Sequence, residues 1–572
     1  MTEASARDSA HVHWLLLGAL SDAPTGRRFV LDGEGFAAAF TAAKLGAKLD
    51  IGPALGAAGK HEVELNFAEL KHYAIKHVLA TVPVLGELRK LADEVAGPSS
   101  RRPSAEAAVA RVVALIGEGP LASELGKLLS EPPESASEPT PAPAVESAAR
   151  DRDTESKPAS GELVDELLER GVARQTESKR AVDSFITAIR GSTSKVADKG
   201  TPVPRRAREL VETAVFGAVN AILNHPAVTE PEALWRGLKL VVEQCPKRSG
   251  MLVEVVDAGS DQIEAAMKAC LDDEAMNRPD AFFVFDRFDH RSQVAGQFQA
   301  LASLAEDLHA PVVVGVGPAL FDVEDAEDVG QVLRDAKPDP SAALPEGWAD
   351  LRSDEVSRWM SVVFNDPVVA VEGAGTARRS VFGNPVFVLA AMLAASFRHT
   401  GGFARVMGKD GSLKAPGLHE VTKGREAGST IPTAAFLSIK AQSELAELGI
   451  VGLGSGRNTD MIALSGVPTL RGSKDAVPLP AQILTGRLVR FGMWVAEQVP
   501  VGTPRDQVAK LFTDASTVFL FPGLSEGARL DAGVVDGSDG PAIRLVATVS
   551  PRLASIPFEV GFDLPLRVAL GA

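Results

Sequence analysis

Short apolar runs that alternate with helical patterns are the feature that most limits how this chain can fold. Residues 251–257 and 281–286 have the length and composition of buried strands, and a valine-rich run follows His309. Segments with a helical spacing of apolar residues lie between these runs and end near Leu271 and Leu308. Strands that alternate with helices predict an α/β architecture, mixed with α+β elements elsewhere in the chain.

Two helices separated by a proline-containing stop are predicted within residues 210–242. Apolar residues recur at helical spacing as far as Leu223, and a proline three residues later disfavours helix in the residue before it. Proline and acids at residues 230–232 are typical of a helix start, so the second helix is predicted to begin there. Leu234 and Trp235 lie on one apolar face of the second helix, and Arg236 lies off it.

Composition and charge exclude several classes of protein. The 572 residues carry a net charge of −16, which argues against non-specific nucleic-acid binding because such binding needs a basic surface. Two cysteines, Cys245 and Cys270, cannot build a disulfide scaffold and fit a reducing compartment. The N-terminal residues lack a signal-peptide pattern, and the longest apolar run, 385–397, is too short to span a bilayer. These features predict a cytoplasmic protein without direct membrane insertion.

Residues 12–130 combine short strands with amphipathic helices. The apolar run at 12–20 is predicted to form a buried strand, and a shorter strand is predicted to begin at Phe29. Residues 62–67 alternate between apolar and polar side chains, as is typical of a half-buried strand. Helices are predicted at 35–45, 68–95 and 102–116.

The composition changes between residues 131 and 200. Residues 131–160 are rich in Pro, Ser, Ala and Glu without a large aliphatic run, which predicts a disordered linker. Two amphipathic helical patterns follow in residues 161–200, and the first is short and acidic. Such a helix suits the groove of a partner protein, or else packs on this chain's own body. Its positions are Leu163, Val164, Asp165, Glu166, Leu167 and Leu168.

Apolar and polar residues alternate strictly in a strand pattern near the C-terminal end. A strand of this kind pairs either with a neighbouring subunit's sheet or, as an internal hairpin, with the preceding strand pattern at 542–549. The pairing with a neighbouring subunit is the prediction adopted. The apolar positions of the strand are Phe558, Val560, Phe562, Leu564 and Leu566.

A glycine-rich stretch at 452–457 is the nearest approach to a nucleotide-binding motif. A dinucleotide loop needs a helix that starts directly after the glycines and an acid about 20 residues further on. The residues after Arg457 are a poor helix start, and Asp475 is the acid available up to residue 479. A tight surface loop is therefore predicted.

Histidines and acids elsewhere form no convincing site for chemistry. His11 with His13, and His72 with His77, are too few for a zinc site. The polar residues Asp286, Asp289 and His290 follow a strand, and a solvated turn explains them more simply than a catalytic acid pair. The sequence therefore predicts no catalytic residue, no cofactor and no metal.

Several phrases of the sequence resemble a known structural family. The helix pair at 210–242, with I-L-x-H-P followed by L-W-R-G-L, resembles TssC, the large subunit of the type VI secretion contractile sheath. The phrases H-A-P at 309–311, W-x-x-L-R at 348–352 and F-G-N-P at 382–385 extend that resemblance. The order of elements in residues 12–130 resembles TssB, the small sheath subunit.

The resemblance implies that two sheath subunits are fused in one chain. A small-subunit module would occupy residues 1–130, and the disordered linker would follow at 131–160. Residues 161–200 would be the N-terminal helices of the large-subunit part. Residues 201–572 would form the large-subunit body, which ends in a hairpin of C-terminal strands.

The function implied by the resemblance is structural. Sheath subunits of this family polymerise into a helical tube around an inner tube, attach to a baseplate and contract to propel the inner tube. The acidic helix at 163–168 would be the handle for a ClpV-type recycling unfoldase. The strand that begins at Phe558 would link neighbouring subunits. Trp235 would anchor the body, and Arg236 would make a structural or lattice contact. The structural core of the large-subunit motif would comprise His225, Pro226, Leu234, Trp235, Arg236 and Gly237.

Other functions stay open because the chain departs from the family in two places. Residues 1–11 show no strand pattern where the small subunit has an extended N-terminal arm, and residues 371–381 are shorter than in the family. A sheath-related scaffold or adaptor that does not contract is one alternative. An α/β enzyme that binds a nucleotide at 452–457 is the alternative from a different class.

Overall fold

The chain is described here from a computed structural model. It covers residues 12–130, 202–247, 249–288, 290–336, 339–373, 378–520, 527–537, 540–566 and 570. Contacts divide the chain into a larger unit and a smaller unit. The larger unit comprises Met1–Leu45, Glu230–Val371 and Ser380–Ala572, and the smaller unit comprises Gly46–Thr229 and Glu372–Arg379.

The strands and helices have the following bounds. The strands are β1 Val12–Gly18, β2 Arg28–Val30, β3 Gly46–Asp50, β4 Glu62–Asn66, β5 Met251–Asp257, β6 Ala281–Val284, β7 Val312–Val316, β8 Met360–Phe364, β9 Val368–Glu372, β10 Arg379–Phe382, β11 Leu413–Lys414, β12 His419–Glu420, β13 Thr430–Ile431, β14 Ile450–Gly452, β15 Gly454–Ser455, β16 Met461–Ala463, β17 Ala528–Gly537, β18 Gly540–Val549 and β19 Phe558–Pro565. The α-helices are α1 Gly33–Ala43, α2 Gly52–Leu55, α3 Ile75–Thr81, α4 Pro83–Ala96, α5 Ala105–Ile116, α6 Pro120–Ser130, α7 Pro202–Leu223, α8 Pro226–Gln244, α9 Ile263–Lys268, α10 Val294–Leu308, α11 Ala326–Asp335, α12 Trp348–Ser353, α13 Pro385–Thr400, α14 Ile439–Glu447, α15 Leu479–Glu497, α16 Arg505–Phe519 and α17 Pro551–Ala554. Short 3₁₀ segments lie at Leu70–Tyr73, Ser260–Gln262, Ala269–Asp272, Ala275–Asn277, Pro318–Phe321, Pro340–Ala343, Glu355–Trp359 and Gly424–Glu426.

A seven-stranded sheet is the centre of the larger unit. Its strand order is β14-β8-β7-β6-β1-β5-β2, and every pairing is parallel except that of β2 with β5. Helices cover both faces of such a sheet, so its inner strands are mostly apolar. All seven residues of β1 are buried accordingly. The predicted mixed α/β architecture is confirmed. The strands predicted at 12–20, 251–257 and 281–286 and in the valine-rich run after His309 correspond to β1, β5, β6 and β7, of which β1 and β6 end two residues earlier than predicted.

The N-terminal strand lies inside this sheet, between β5 and β6. Its register pairs Val12 with Met251 on one side and Trp14 with Ala281 on the other. Residues 12–45 therefore share a unit with residues 230–371, and the spatial division falls at Gly46. The larger unit therefore includes residues from both sides of residue 130, and the predicted boundary there between a small-subunit and a large-subunit module stays a prediction.

Alternate residues of β6 face different helical layers. Phe282 lies in a large apolar cluster with Phe298 of α10 and Trp348 of α12. On the other face, the ring of Phe285 just after the strand lies 5.3 Å from that of Phe387 in α13. The alternation of side chains along a strand thus places one helical layer on each face of the sheet.

The smaller unit is built from a hairpin and helices. Strands β3 and β4 pair antiparallel, and helix α4 packs against α7. An ion pair of 3.0 Å joins Asp93 to Arg208, and the rings of Phe67 and Tyr73 stack at 4.1 Å. The carboxylate of Glu372 accepts from the backbone N–H of Ile75 at 3.2 Å. That bond caps the start of α3, which has no side-chain cap of its own.

A second, three-stranded sheet closes the larger unit at its C-terminal end. Strand β18 lies in the middle and pairs antiparallel with β17 and β19. Val549 is in register with Ala528 on one side and with Phe558 on the other.

Among the residues that the structure describes, no helix is long and apolar enough to cross a membrane.

Candidate functional site

The glycine-rich stretch at 452–457 is mostly buried strand rather than the predicted surface loop. Residues 450–452 and 454–455 form β14 and β15, and a short turn follows instead of a helix. A Cβ added at Gly454 would lie 2.0 Å from Nε2 of Gln442, so the backbone is packed against protein where a phosphate would have to bind. Arg457 pairs with Glu426. This geometry offers no helix N-terminus to an anion.

The predicted histidine and acid candidates are separated or engaged in structural contacts. His72 and His77 stack with ring centroids 4.0 Å apart, whereas His13 contacts Glu254 in the larger unit. His11 and Asp289 lie outside the described residues. Within the residues that are described, no group of three or more His, Cys, Asp or Glu side chains is arranged to hold a metal ion.

The polar turn after β6 is organised by an arginine rather than by an acid pair. Arg287 donates two hydrogen bonds to the carboxylate of Asp366, at 3.1 and 2.7 Å. This bidentate pair joins the segments that follow β6 and β8 at the carboxyl edge of the sheet. Asn384 adds a second link there, because its amide donates to Phe285 O at 3.0 Å and its oxygen caps helix α13. Both contacts stabilise the edge.

His225 and Pro226 are exposed and are not core residues, contrary to the prediction. His225 instead caps helix α8: its Nδ1 accepts from Ala227 N at 3.2 Å, and its carbonyl accepts from Thr229 N at 2.9 Å. The helix begins at Pro226 and not at 230–232, because the missing N–H of proline costs nothing in the first turn. Helix α7 ends at Leu223, as predicted.

Trp235 is the central side chain of the helix pair. It is fully buried, with ring centroids 5.4 Å from Phe36 and 4.8 Å from Phe40 of helix α1. Gly237 is also buried, and a Cβ there would lie 2.2 Å from Cδ2 of Phe387. Leu234 is half-buried. The N-terminal helix α1, helix α8 and helix α13 are therefore held together by these two positions.

Arg236 is half-buried and pairs within its own helix. Its Nε lies 2.8 Å from Oε1 of Glu232, an acid whose side chain is almost fully buried. An arginine that neutralises a buried carboxylate one turn earlier has a structural role. A lattice contact of Arg236 stays a prediction.

The predicted intersubunit strand forms β19 of the C-terminal sheet. Phe558, Val560, Phe562 and Leu564 share its inner face, where each is half-buried, and Leu566 just beyond the strand is buried. A Cβ added at Gly492 of helix α15 would lie 2.6 Å from Leu564 Cδ1 and 3.4 Å from Phe562 Cε2. The inner face thus packs on the chain's own helix, and β19 pairs with β18 as in the internal hairpin. Among the described residues, no strand pairs with its other side. The handle residues Leu163 to Leu168 lie outside the described residues.

A buried ionic network lies where strands β1 and β6 begin. The carboxylate of Asp280 accepts from Arg487 at 2.9 Å, from Arg490 at 2.5 Å and from the backbone of His13 at 2.8 Å. Burial acts to raise the pKa of Asp280, but the charges of Arg487 and Arg490 hold that pKa below its usual range. The sequence pattern did not indicate this network, since its members are far apart in the chain.

A second ionic cluster ties the first two strands to β5. Glu254 is buried in β5 and bonds to His13 Nε2 at 2.7 Å and to the guanidinium of Arg28. Burial acts to raise the pKa of Glu254, but the hydrogen bond and charge of His13, with those of Arg28, outweigh it and lower the pKa to about 2. Both clusters hold the N-terminal strand in place and contain no free nucleophile.

Comparison with known proteins gives a relative by sequence. The chain is 20% identical over 341 residues to the type VI secretion system sheath protein TssC1 of Pseudomonas aeruginosa, a match that covers 52% of this chain and 68% of the relative. No family model matches the chain. The sequence match confirms the predicted resemblance to the large sheath subunit. The fusion with a small subunit is not confirmed and stays a prediction.

Solved sheath structures match more than half of the chain, but their TM-scores are low. The contracted helical sheath of the anti-feeding prophage matches 58% of this chain and 78% of its own, with 14% identity and a TM-score of 0.32. The contracted PVC sheath of an extracellular contractile injection system matches 58% and 76%, with 11% identity and a TM-score of 0.31. TM-scores of this size do not establish a common overall fold, so the relationship rests on the sequence match.

Proposed function

We propose that this chain, a relative of the type VI secretion sheath protein TssC1, is a structural subunit of a contractile sheath. The observation that carries the proposal is the sequence match over 341 residues. Copies of one chain that join through unlike surfaces build a helical polymer when the rotation between them does not close. The polymer would surround an inner tube, attach to a baseplate and contract to drive the tube forward.

The way in which polar and charged groups are used supports a structural protein over an enzyme. The buried ions near β1 are engaged by one another and by backbone groups, and the glycine-rich stretch is packed strand. An enzyme of this size needs a concave site with convergent reactive groups. The acids, arginines and histidines described above instead fasten segments of the fold to each other. We therefore infer that the protein has no catalytic activity and requires no cofactor.

The C-terminal sheet is the surface we propose for joining neighbouring copies. Strand β19 borders the sheet, so its outer side offers backbone groups to an added strand. Its inner apolar residues are only half-buried against helix α15, so apolar surface remains that an added element would cover. A strand from a neighbour would gain main-chain hydrogen bonds there, with register set by its side chains.

The remaining partners belong to the same proposal. We infer a cytoplasmic location for assembly, and a ClpV-type unfoldase that would bind the acidic helix predicted at 163–168. We also infer that residues 12–130 do the work of a small sheath subunit, since β1 is part of the central sheet of the larger unit. A single chain would then supply both subunits in equal number.

Negative-stain electron microscopy of the purified full-length chain tests the proposal. Tubes or cogwheel-shaped cross-sections are the expected result. A variant that lacks residues 558–572 should give particles without tubes, and the outward-facing substitution Glu559→Gln is its matched control. Monodisperse monomers that bind a nucleotide would reject the proposal and support the enzyme alternative. Tubes with one invariant length per subunit would support the non-contractile scaffold.

A further inference from the structure

Helix α15 contacts two sheets, so a displacement of one sheet can be transmitted through the helix to the other. The helix spans Leu479–Glu497 and is buried over most of its surface. Its middle residues, 486–490, lie at the amino edge of the central sheet, where strands β6, β7, β8 and β1 begin. Gly492, two residues further on, lies against the C-terminal sheet. One rigid element thus contacts both sheets of the larger unit.

Contacts at the amino edge of the central sheet are close and specific. A Cβ added at Gly486 would lie 2.2 Å from the carbonyl oxygen of His309, which precedes β7, and 3.1 Å from Cζ3 of Trp359, which precedes β8. One turn further on, Arg490 donates to Asp280 at 2.5 Å and to the carbonyl of Arg278 at 2.7 Å. Each contact leaves little room for the helix to slide.

The ionic network of Asp280, Arg487 and Arg490 also connects helix α15 to the N-terminal strand. Arg487 and Arg490 hold one oxygen each of Asp280, and the backbone of Asp280 donates to His13 O at 2.7 Å. Arg490 is almost completely buried. Buried ion pairs contribute little net stability compared with apolar residues, but their directional bonds favour one arrangement of the groups that carry them. The network therefore determines the position of α15 relative to β1 and β6.

The turn of the helix that contains Gly492 is closely packed with the C-terminal sheet. A Cβ added at Gly492 would lie 2.6 Å from Leu564 Cδ1 of β19 and 2.8 Å from Leu545 Cδ1 of β18. Only five positions separate Arg487 from Gly492, so the ionic joint and the sheet contact lie within two turns of one helix. A displacement of β19 must move these turns or break the packing, because protein interiors transmit strain.

We propose that helix α15 couples the C-terminal sheet to the central sheet, with the Asp280–Arg487–Arg490 network as its fixed joint. The inference rests on the proposed function for its use: a pull on β19 by a neighbouring copy would reach strands β1 and β6 through this helix. The change of lattice would then move the larger unit as one body, and the C-terminal sheet would not hinge separately.

Hydrogen exchange of the full-length chain in solution tests the coupling. Leu564→Ala removes apolar contact between β19 and α15, and Asp563→Ala, the outward-facing neighbour, is the matched control. We expect Leu564→Ala to speed exchange about fivefold at residues 528–566 and also at 12–18 and 281–284. Asp563→Ala should leave 12–18 and 281–284 unchanged. Residues 46–66 of the smaller unit serve as the internal reference for global unfolding.

The joint itself is tested by repeating the comparison in an Arg487→Met background. If the network is the joint, Leu564→Ala then speeds exchange at 528–566 but no longer at 12–18 and 281–284. Arg490→Met gives the same test at the more buried position, and Leu564→Val replaces Leu564→Ala if the latter does not fold. Faster exchange confined to 528–566 in the parent chain, or an equal rise at 46–66, would overturn the inference. Absence of tubes would reject the proposed function without affecting this result.

Discussion

His13 and Asp280 lie 267 positions apart in the chain and exchange two hydrogen bonds. The backbone N–H of His13 donates to Asp280 Oδ2 at 2.8 Å, and the backbone N–H of Asp280 donates to His13 O at 2.7 Å. These bonds position the first strand beside β6, in the interior of the central sheet. The larger unit consequently cannot form its sheet in this order without the N-terminal residues.

The position of β1 inside the central sheet predicts that residues 12–130 and residues 202–572 stay associated after the segment between them is cut. A protease site inserted between residues 131 and 201 would allow the chain to be cut after folding. We expect the fragments to elute together in size-exclusion chromatography, because all seven residues of β1 are buried. The uncut protein is the control, and separate elution of the fragments without denaturant would contradict the prediction.

Trp235 is predicted to be the most sensitive position of the helix pair at 210–242. Trp235→Ala should destabilise the larger unit by about 3–5 kcal/mol, because it leaves a cavity beside Phe36 and Phe40. The midpoint of thermal unfolding measures this. Lys239→Ala on the exposed side of the same helix is the control. Equal midpoints for the two variants would show that Trp235 does not anchor helix α1.

Two glycine substitutions are predicted to change the free energy of unfolding in opposite directions. Gly237→Ala should destabilise by about 1–3 kcal/mol, since the new methyl group meets the ring of Phe387. Gly296→Ala, in helix α10, meets no atom within 4 Å and should stabilise by about 0.5–1 kcal/mol. Thermal unfolding of the two variants beside the parent chain gives the comparison. A neutral Gly237→Ala would mean that α8 and α13 are less closely packed than described.

Glu254 is predicted to make the stability of the fold depend on pH in the acidic range. Its pKa is about 2 in the folded chain, against an ordinary value of 4.5, so the folded state binds fewer protons than the unfolded state between these pH values. Its stabilising effect is complete above pH 4.5 and is lost as the pH falls toward 2. Glu254→Gln should therefore lower the unfolding midpoint at neutral pH and make the midpoint fall less on acidification. Glu497→Gln, at an exposed position, should follow the parent chain at every pH.

Local sequence patterns predicted individual strands and helices correctly more often than they predicted which of these elements are adjacent in the fold. The strand at 12–18, the helix end at Leu223 and the alternation from Phe558 follow from spacing that adjacent residues supply. The position of β1 between β5 and β6 does not, since it depends on pairings across more than 200 residues. Arg490 is a similar case. Nothing near it in the sequence indicates that a buried arginine finds Asp280, 210 positions earlier.

Two of the predicted site features were wrong for identifiable reasons. The glycines at 452–456 were predicted to form a surface loop, whereas they allow strands β14 and β15 to pack closely on Gln442. His225 was predicted to be core because it belongs to a recognisable phrase, whereas the phrase describes a helix cap. Helices α15 and α16 and strand β17 were not predicted. Helix α15 is buried on most sides, so its apolar residues show no single face.

Helical reconstruction by cryo-electron microscopy of assemblies formed by the full-length chain tests the central claim most directly. We expect tubes in which β19 borders a neighbouring copy, and two lattices of the same chain with different lengths per subunit. A chain that remains monomeric under all assembly conditions, or tubes in which the C-terminal sheet touches no neighbour, would contradict it.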